Sequence, residues 1–301
     1  MIKTDTGRII RGVGGFYYVV TGDATIYECK AKGIFRKDDV KPLVGDVVSL
    51  SVLDEEKLIG NIEEILPRKN ALTRPAVANV DQAIVVFSLT KPKPNRGLLD
   101  RFLLMMEREG VPVWLCLTKT DLVSREVTEQ MKKAYEPCTE GVLPVSNTEG
   151  SGIRDVRAAM RGRTTVLAGP SGVGKSSLVR HICPEAAPEI GNISKKTERG
   201  KHTTRHSELF HIGENTFLFD TPGFSALGLP DLLPEELGAY IPEFEPYLGK
   251  CRFPVCTHVH EPECAVREQV GSAIDEERYR SYCQMFDELN LVAVKAGRSK
   301  R

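Results

Sequence analysis

Between Arg8 and Leu66 apolar residues come in short runs broken by glycine and aspartate. The runs are Phe16–Val20, Thr25–Cys29, Asp46–Leu53 and Gly60–Ile65, with Gly14-Gly15 and Thr21-Gly22-Asp23 as turns. Short strands at this spacing predict a small β-barrel, and periodicity alone fits a structural appendage or a nucleic-acid-binding barrel equally well. Pro67 to Pro75 reads as a polar, proline-bounded connector. After it the period changes. Ala83–Phe87, Val113–Leu117, Gly141–Val145, Thr164–Ala168 and Thr216–Asp220 are continuous apolar runs, with helical patterns such as Gly97–Glu109 and Lys175–Ile182 between some of them. Alternation of this kind predicts a mainly parallel sheet covered on both faces. Beyond Pro230 the pattern is helical and proline-punctuated, ending in a basic tail, Lys295 to Arg301, that reads as a solvated end. The expected division is therefore a barrel at 1–66, an α/β domain at 67–230 and a mainly helical domain at 231–301.

The strongest chemical signal is Gly169-Pro170-Ser171-Gly172-Val173-Gly174-Lys175-Ser176, a P-loop between an expected strand and an expected helix. Glycines let backbone N–H groups turn inward around phosphates, and the helix N-terminus adds a favourable dipole. Lys175 reaches the β and γ oxygens and so serves catalysis as well as binding. Ser176 offers a hydroxyl to Mg²⁺, and Ser177 comes next as a further nucleotide-binding position.

A P-loop fits ATPases, kinases and GTPases alike, so the base reader decides. Thr118-Lys119-Thr120-Asp121 comes directly after the run Val113–Leu117. A carboxylate there accepts from both N1–H and the exocyclic amine of guanine, a donor pair that adenine lacks. Lys119 has a stem long enough to lie across the base. A second run ends in Ser146-Asn147-Thr148, where GTPases place another base-contacting loop, and Ser146 is the expected contact.

Asp220-Thr221-Pro222-Gly223 fits a Mg²⁺ and γ-phosphate switch, with Asp220 on the metal through water and the Gly223 amide facing the phosphate. Arg199 to Thr204 is polar and loop-like, as a first switch should be. Thr204 is the expected Mg²⁺ ligand there, with Thr203 as the alternative. Phe224 stands where Ras-like enzymes commonly carry a glutamine. A phenyl ring cannot orient water, so intrinsic hydrolysis should be slow. The missing group comes from His202, another first-switch residue or a partner; His202 is equally readable as a surface histidine. The base loops precede the P-loop and switches, the reverse of the Ras-like order, which predicts a circularly permuted GTPase.

Charge sharpens this picture only locally. The chain has 41 Lys and Arg against 41 Asp and Glu, so bulk attraction to a polyanion is excluded. The surplus lies in the middle, where residues 67–230 carry 23 basic against 17 acidic side chains. No apolar run approaches the roughly 20 residues that span a bilayer, and Met1 opens no signal-peptide pattern, so a cytoplasmic protein without a membrane partner is expected. In that compartment Cys251, Cys256, His258 and Cys264 suit a structural zinc ion better than a disulfide, with His260 as a rival for His258.

Together these features resemble the ribosome small subunit-dependent GTPase A family: the barrel, Thr118–Asp121 ahead of Gly169–Ser176, Asp220–Gly223 with Phe224 next to it, and Cys251/Cys256/His258/Cys264. The resemblance covers essentially the whole chain. It implies an N-terminal OB-fold that binds RNA, with the 30S subunit and its 16S rRNA as partners. It also implies subunit-stimulated hydrolysis of GTP to GDP during late 30S maturation, by a monomer. The family's catalytic histidine falls on His202. The competing expectation is an RNA- or protein-binding scaffold in which guanine nucleotide is only a structural ligand.

Overall fold

The computed structural model describes residues 3–31, 41–73, 75–184, 208–213, 215–220 and 228–299. They form two compact units: one of residues 1–83, 154–167 and 176–223, the other of 84–153, 168–175 and 224–301.

The first unit opens with β1 (Lys3–Val13), β2 (Phe16–Thr21), β3 (Ile26–Ala31), β4 (Val47–Asp54) and β5 (Ile59–Ile65). β1 pairs antiparallel with both β2 and β4, β2 with β3, β3 runs parallel to β5, and β5 returns to β4. That circuit closes a five-stranded barrel of the OB type. Side chains alternate across each strand, so Tyr27 and Cys29 of β3 and Val48, Leu50 and Val52 of β4 point inward with Ile9, Val19 and Ile62. The stretch read as a connector begins a short hairpin, β6 (Ala71–Leu72) with β7 (Val77–Ala78). Arg68 donates to both oxygens of buried Asp46 and to the Lys41 carbonyl. Gly45 holds φ +97°, and a Cβ on it would stand 2.1 Å from the Ala78 carbonyl oxygen.

The five expected strands and two expected helices are present, with α2, α3 and β12 in addition: β8 (Gln82–Ser88), α1 (Arg96–Arg108), β9 (Val113–Thr118), α2 (Arg125–Tyr135), β10 (Gly141–Val145), α3 (Ile153–Met160), β11 (Thr164–Ala168), α4 (Lys175–Ile182), β12 (Glu208–Gly213) and β13 (Thr216–Asp220). β8 and β11 are buried along their whole length, as unbroken apolar runs require. In the first unit β11 runs parallel to β13, β13 antiparallel to β12, and β12 meets β1 at Glu208 opposite Arg11. The Asp81 carboxylate accepts from the Thr164 amide and from Lys69.

In the second unit the order is β10-β9-β8, with β10 parallel to β9. Asn95 caps α1 by accepting from the Leu98 amide, and the helix buries Leu99, Phe102, Leu104 and Met106. The C-terminal part has 3₁₀ turns at Pro234–Tyr240 and Pro242–Tyr247, the Cys/His cluster, and α5 (Glu276–Ser299). Its core gathers Leu237, Phe244, Tyr282, Met285 and Phe286 with Leu104 of α1. Among the described residues no helix is long and apolar enough to cross a membrane.

Candidate nucleotide site and metal centre

The phosphate loop leaves β11 at Ala168 and enters α4 at Lys175. Three glycines make the turn: Gly169 at φ +134°, Gly172 at +78° and Gly174 at +105°. A Cβ on Gly169 would lie 2.3 Å from the Val86 carbonyl oxygen, and one on Gly174 2.9 Å from Asn147 Nδ2. No other residue fits either place. Lys175 Nζ donates to the Gly169 and Pro170 carbonyls at 2.7 and 2.6 Å, which holds the ammonium within the loop. Ser171 is exposed, Val173 is buried, and Ser176 and Ser177 are half-buried on the first turn of α4.

The base-reading segment is tied to this loop. Buried Thr118 donates from Oγ1 to the Val173 carbonyl at 2.6 Å. Lys119, in the left-handed region at φ +63°, sends Nζ to the carbonyls of Lys91 and Gly172. Thr120 and Asp121 then start a 3₁₀ turn. Asp121 Oδ1 is buried with no hydrogen-bond partner among the described residues. A buried acceptor left so costs roughly 1–3 kcal/mol, and the two N–H groups on one edge of guanine would satisfy it. Ser146 is buried and its Oγ accepts from the Glu149 amide. Its neighbour Asn147 donates to the Gly174 carbonyl at 3.3 Å. The motif points to Ser146, whereas the side chain that touches the phosphate loop is that of Asn147; only the fold brings those loops together.

Of the switch residues, Asp220 closes β13. His202, Thr203, Thr204, Gly223 and Phe224 lie outside the described residues.

The four cluster residues converge. Cys251 Sγ, Cys256 Sγ, one ring nitrogen of His258 and Cys264 Sγ all lie within 4.8 Å of one another. His258 Nδ1 is 3.6 Å from Cys251 Sγ and 3.4 Å from Cys264 Sγ, and those two sulfurs are 3.8 Å apart. Metal–sulfur bonds of about 2.3 Å in a tetrahedron give edges near 3.8 Å, so the donors fit one four-coordinate ion. Burial lowers the His258 pKa and keeps the ring neutral, the form that ligates. His260 is exposed and only its backbone joins the knuckle, so the rivalry between the two histidines resolves to His258. Around them, Glu261 accepts from Thr257 and from the amides of Val259 and His260. Burial pushes its carboxyl up, but these hydrogen bonds outweigh it and hold the pKa at about 2. Tyr279 and Tyr282 of α5 donate to the His258 and Thr257 carbonyls.

Two family models match the chain: RsgA N-terminal domain over residues 6–59 and RsgA GTPase over residues 65–230. This chain belongs to the RsgA GTPase family. A relative from Agathobacter rectalis, named small ribosomal subunit biogenesis GTPase RsgA, is 49% identical over 295 residues, covering 94% of this chain and 98% of its own. One of the same name from Alkaliphilus metalliredigens is 45% identical, covering 94% and 97%. The crystal structure of YjeQ from Thermotoga maritima superposes with a TM-score of 0.83 at 33% identity, over 95% of this chain and 99% of that one. That of YloQ, described as a circularly permuted GTPase, gives 0.78 at 34%, over 96% of each.

The RsgA family assignment makes the chain a GTP hydrolase and accounts for the order of its loops. A base loop that precedes the phosphate loop in sequence still lies against it in space, through Thr118, Lys119 and Asn147. The Lys91 carbonyl, which meets Lys119 Nζ, lies outside every motif of the sequence.

Proposed function

We propose that this chain binds the small ribosomal subunit in its GTP state, hydrolyses GTP when the maturing subunit is correctly assembled, and then leaves. The reading is supported by Asp121, a carboxylate with a buried unpartnered oxygen in a loop latched to the phosphate loop, in a chain that aligns over 94% of its length with a relative named for small-subunit biogenesis. In it, 16S rRNA and the 30S particle are the partners, and the chain acts as a cytoplasmic monomer. Its parts are an RNA-binding barrel at 1–66, the permuted GTPase at 67–230 and the metal module at 231–301. Ser176, Thr204 and Asp220 hold Mg²⁺, and Gly223 faces the γ-phosphate. His202 supplies what Phe224 lacks, or the subunit does. Three thiolates and one imidazole suit zinc, and four protein donors make the site structural.

Phosphate release from GTP, measured with and without purified 30S subunits, tests the proposal. A partner that completes a GTPase site accelerates it by about 10³-fold or more, so a clear rise is expected. An unchanged slow rate would instead leave a scaffold whose nucleotide only stabilises the fold.

A further inference from the structure

Arg154, Arg157 and Arg161 are spaced i, i+3 and i+7 along α3 and its final turn, so they lie along one face. All three are exposed, as are Arg163 and Arg180. From Ile153 to Pro184 the chain has six Arg and Lys and a single acid, Asp155, which sits 3.9 Å from Arg154. Arg157 is braced, donating to the His181 and Ile182 carbonyls at the end of α4. Beside this ridge lies a cleft of about 490 Å³. Arg157 and Arg161 form its charged wall, half-exposed Ile212 its apolar side, and buried Met160, Ile182 and Thr216 its floor. None of these residues belongs to the phosphate loop, the base loops or the metal cluster.

We propose that this ridge and cleft bind a single-stranded segment of RNA, with phosphates on the arginines and one unstacked base against Ile212. Guanidinium groups grip phosphate through two parallel hydrogen bonds, and their planes stack on bases. An acidic peptide would use the charge but leave the apolar side uncovered. A rigid duplex keeps its bases stacked and cannot fill the cleft. The volume lies within the range of pockets that take small flat ligands. The proposal deepens the ribosomal reading and rests on it only for where the RNA comes from.

The test is binding of the full-length protein to a labelled oligouridylate of about twelve nucleotides, read by fluorescence anisotropy across about 50 to 200 mM salt. The R154A/R161A variant should bind about tenfold or more weakly. Its dependence of log K on log salt should be shallower by about 1.4, since each single-strand phosphate contact contributes about 0.7. R161K should keep the slope yet lose part of the affinity. Both side chains are exposed, so an unchanged melting temperature should accompany the loss. Unchanged affinity and slope in the double variant overturn the proposal, as does an abasic strand that binds as tightly as the oligouridylate. Unchanged oligonucleotide binding with weaker co-sedimentation on 30S would assign the ridge to an acidic ribosomal-protein surface, and overturns it too. Subunit-stimulated turnover of the unaltered protein, measured alongside, separates failure of the cleft from failure of the ribosomal reading.

Discussion

Asp121 is the proposed base reader, and its Oδ1 is an acceptor that nothing among the described residues satisfies. Asp121→Asn keeps one acceptor for the guanine N1–H and sets a donor against the exocyclic amine, where xanthine instead offers a carbonyl. Loss of one hydrogen bond, of the charge behind the other, and the donor–donor contact that replaces the first should weaken GTP binding by about a hundredfold or more. Xanthosine triphosphate should gain by a comparable factor. Equilibrium titration with both nucleotides checks this, and retained GTP selectivity would remove Asp121 as the reader. At this scale the sequence is legible where chemistry depends on close neighbours. Gly169, Gly174 and Lys175 act within one loop, so their spacing carries the meaning. Asn147 and the Lys91 carbonyl act across 27 and 28 positions, and no local pattern announces such contacts.

Elements show the same division. β8, β9, β10, β11 and β13 are legible as apolar runs because a strand covered on both faces has no polar side to alternate with. β1 is not, because Lys3 to Val13 is mostly polar and owes its strand to pairing with β2 and β4. Helix α5 raises a different question, since beside its apolar contact with Leu104 its anchor to α1 is ionic. Buried Arg278 donates to Asp100 at 2.6 Å and to both oxygens of Glu243, and Arg96 reaches from α1 to Asp275 and Glu277. Taking charges out of water is costly, so such a cluster fixes geometry more than it adds stability. Removing one partner is far worse than removing all. Arg278→Met should cost about 3–5 kcal/mol by leaving two carboxylates buried without their cation. Combining Arg278→Met with Asp100→Asn and Glu243→Gln should recover much of that. Hydrogen exchange of α1 and α5 amides under mild denaturant measures both, and equal losses in the two variants would contradict the ionic account.

For the molecule as a whole, permutation changes the segment that follows the second switch motif. After β13 the chain passes through Gly223 into the metal module instead of ending in base-reading loops. The cluster is legible because cysteine and histidine at short spacing in a chain with no disulfides have few other uses. Its role in the fold is not legible, because it rests on Tyr279 and Tyr282 reaching back from α5 to the knuckle carbonyls. Those hydroxyls hold carbonyls that a bound metal would position through His258, so knuckle and helix should loosen together when the ion is removed. Chelation should therefore raise hydrogen exchange in residues 251–264 and in the first turns of α5, and lower the melting temperature. The barrel core of Ile9, Val19 and Leu50 belongs to the other compact unit and should keep its protection. Zinc content near one per chain before chelation, then loss of protection confined to the second unit, is the expected outcome. Uniform loss throughout the chain would mean that the ion supports the global fold, and no change at all would mean that the four donors hold their positions without it.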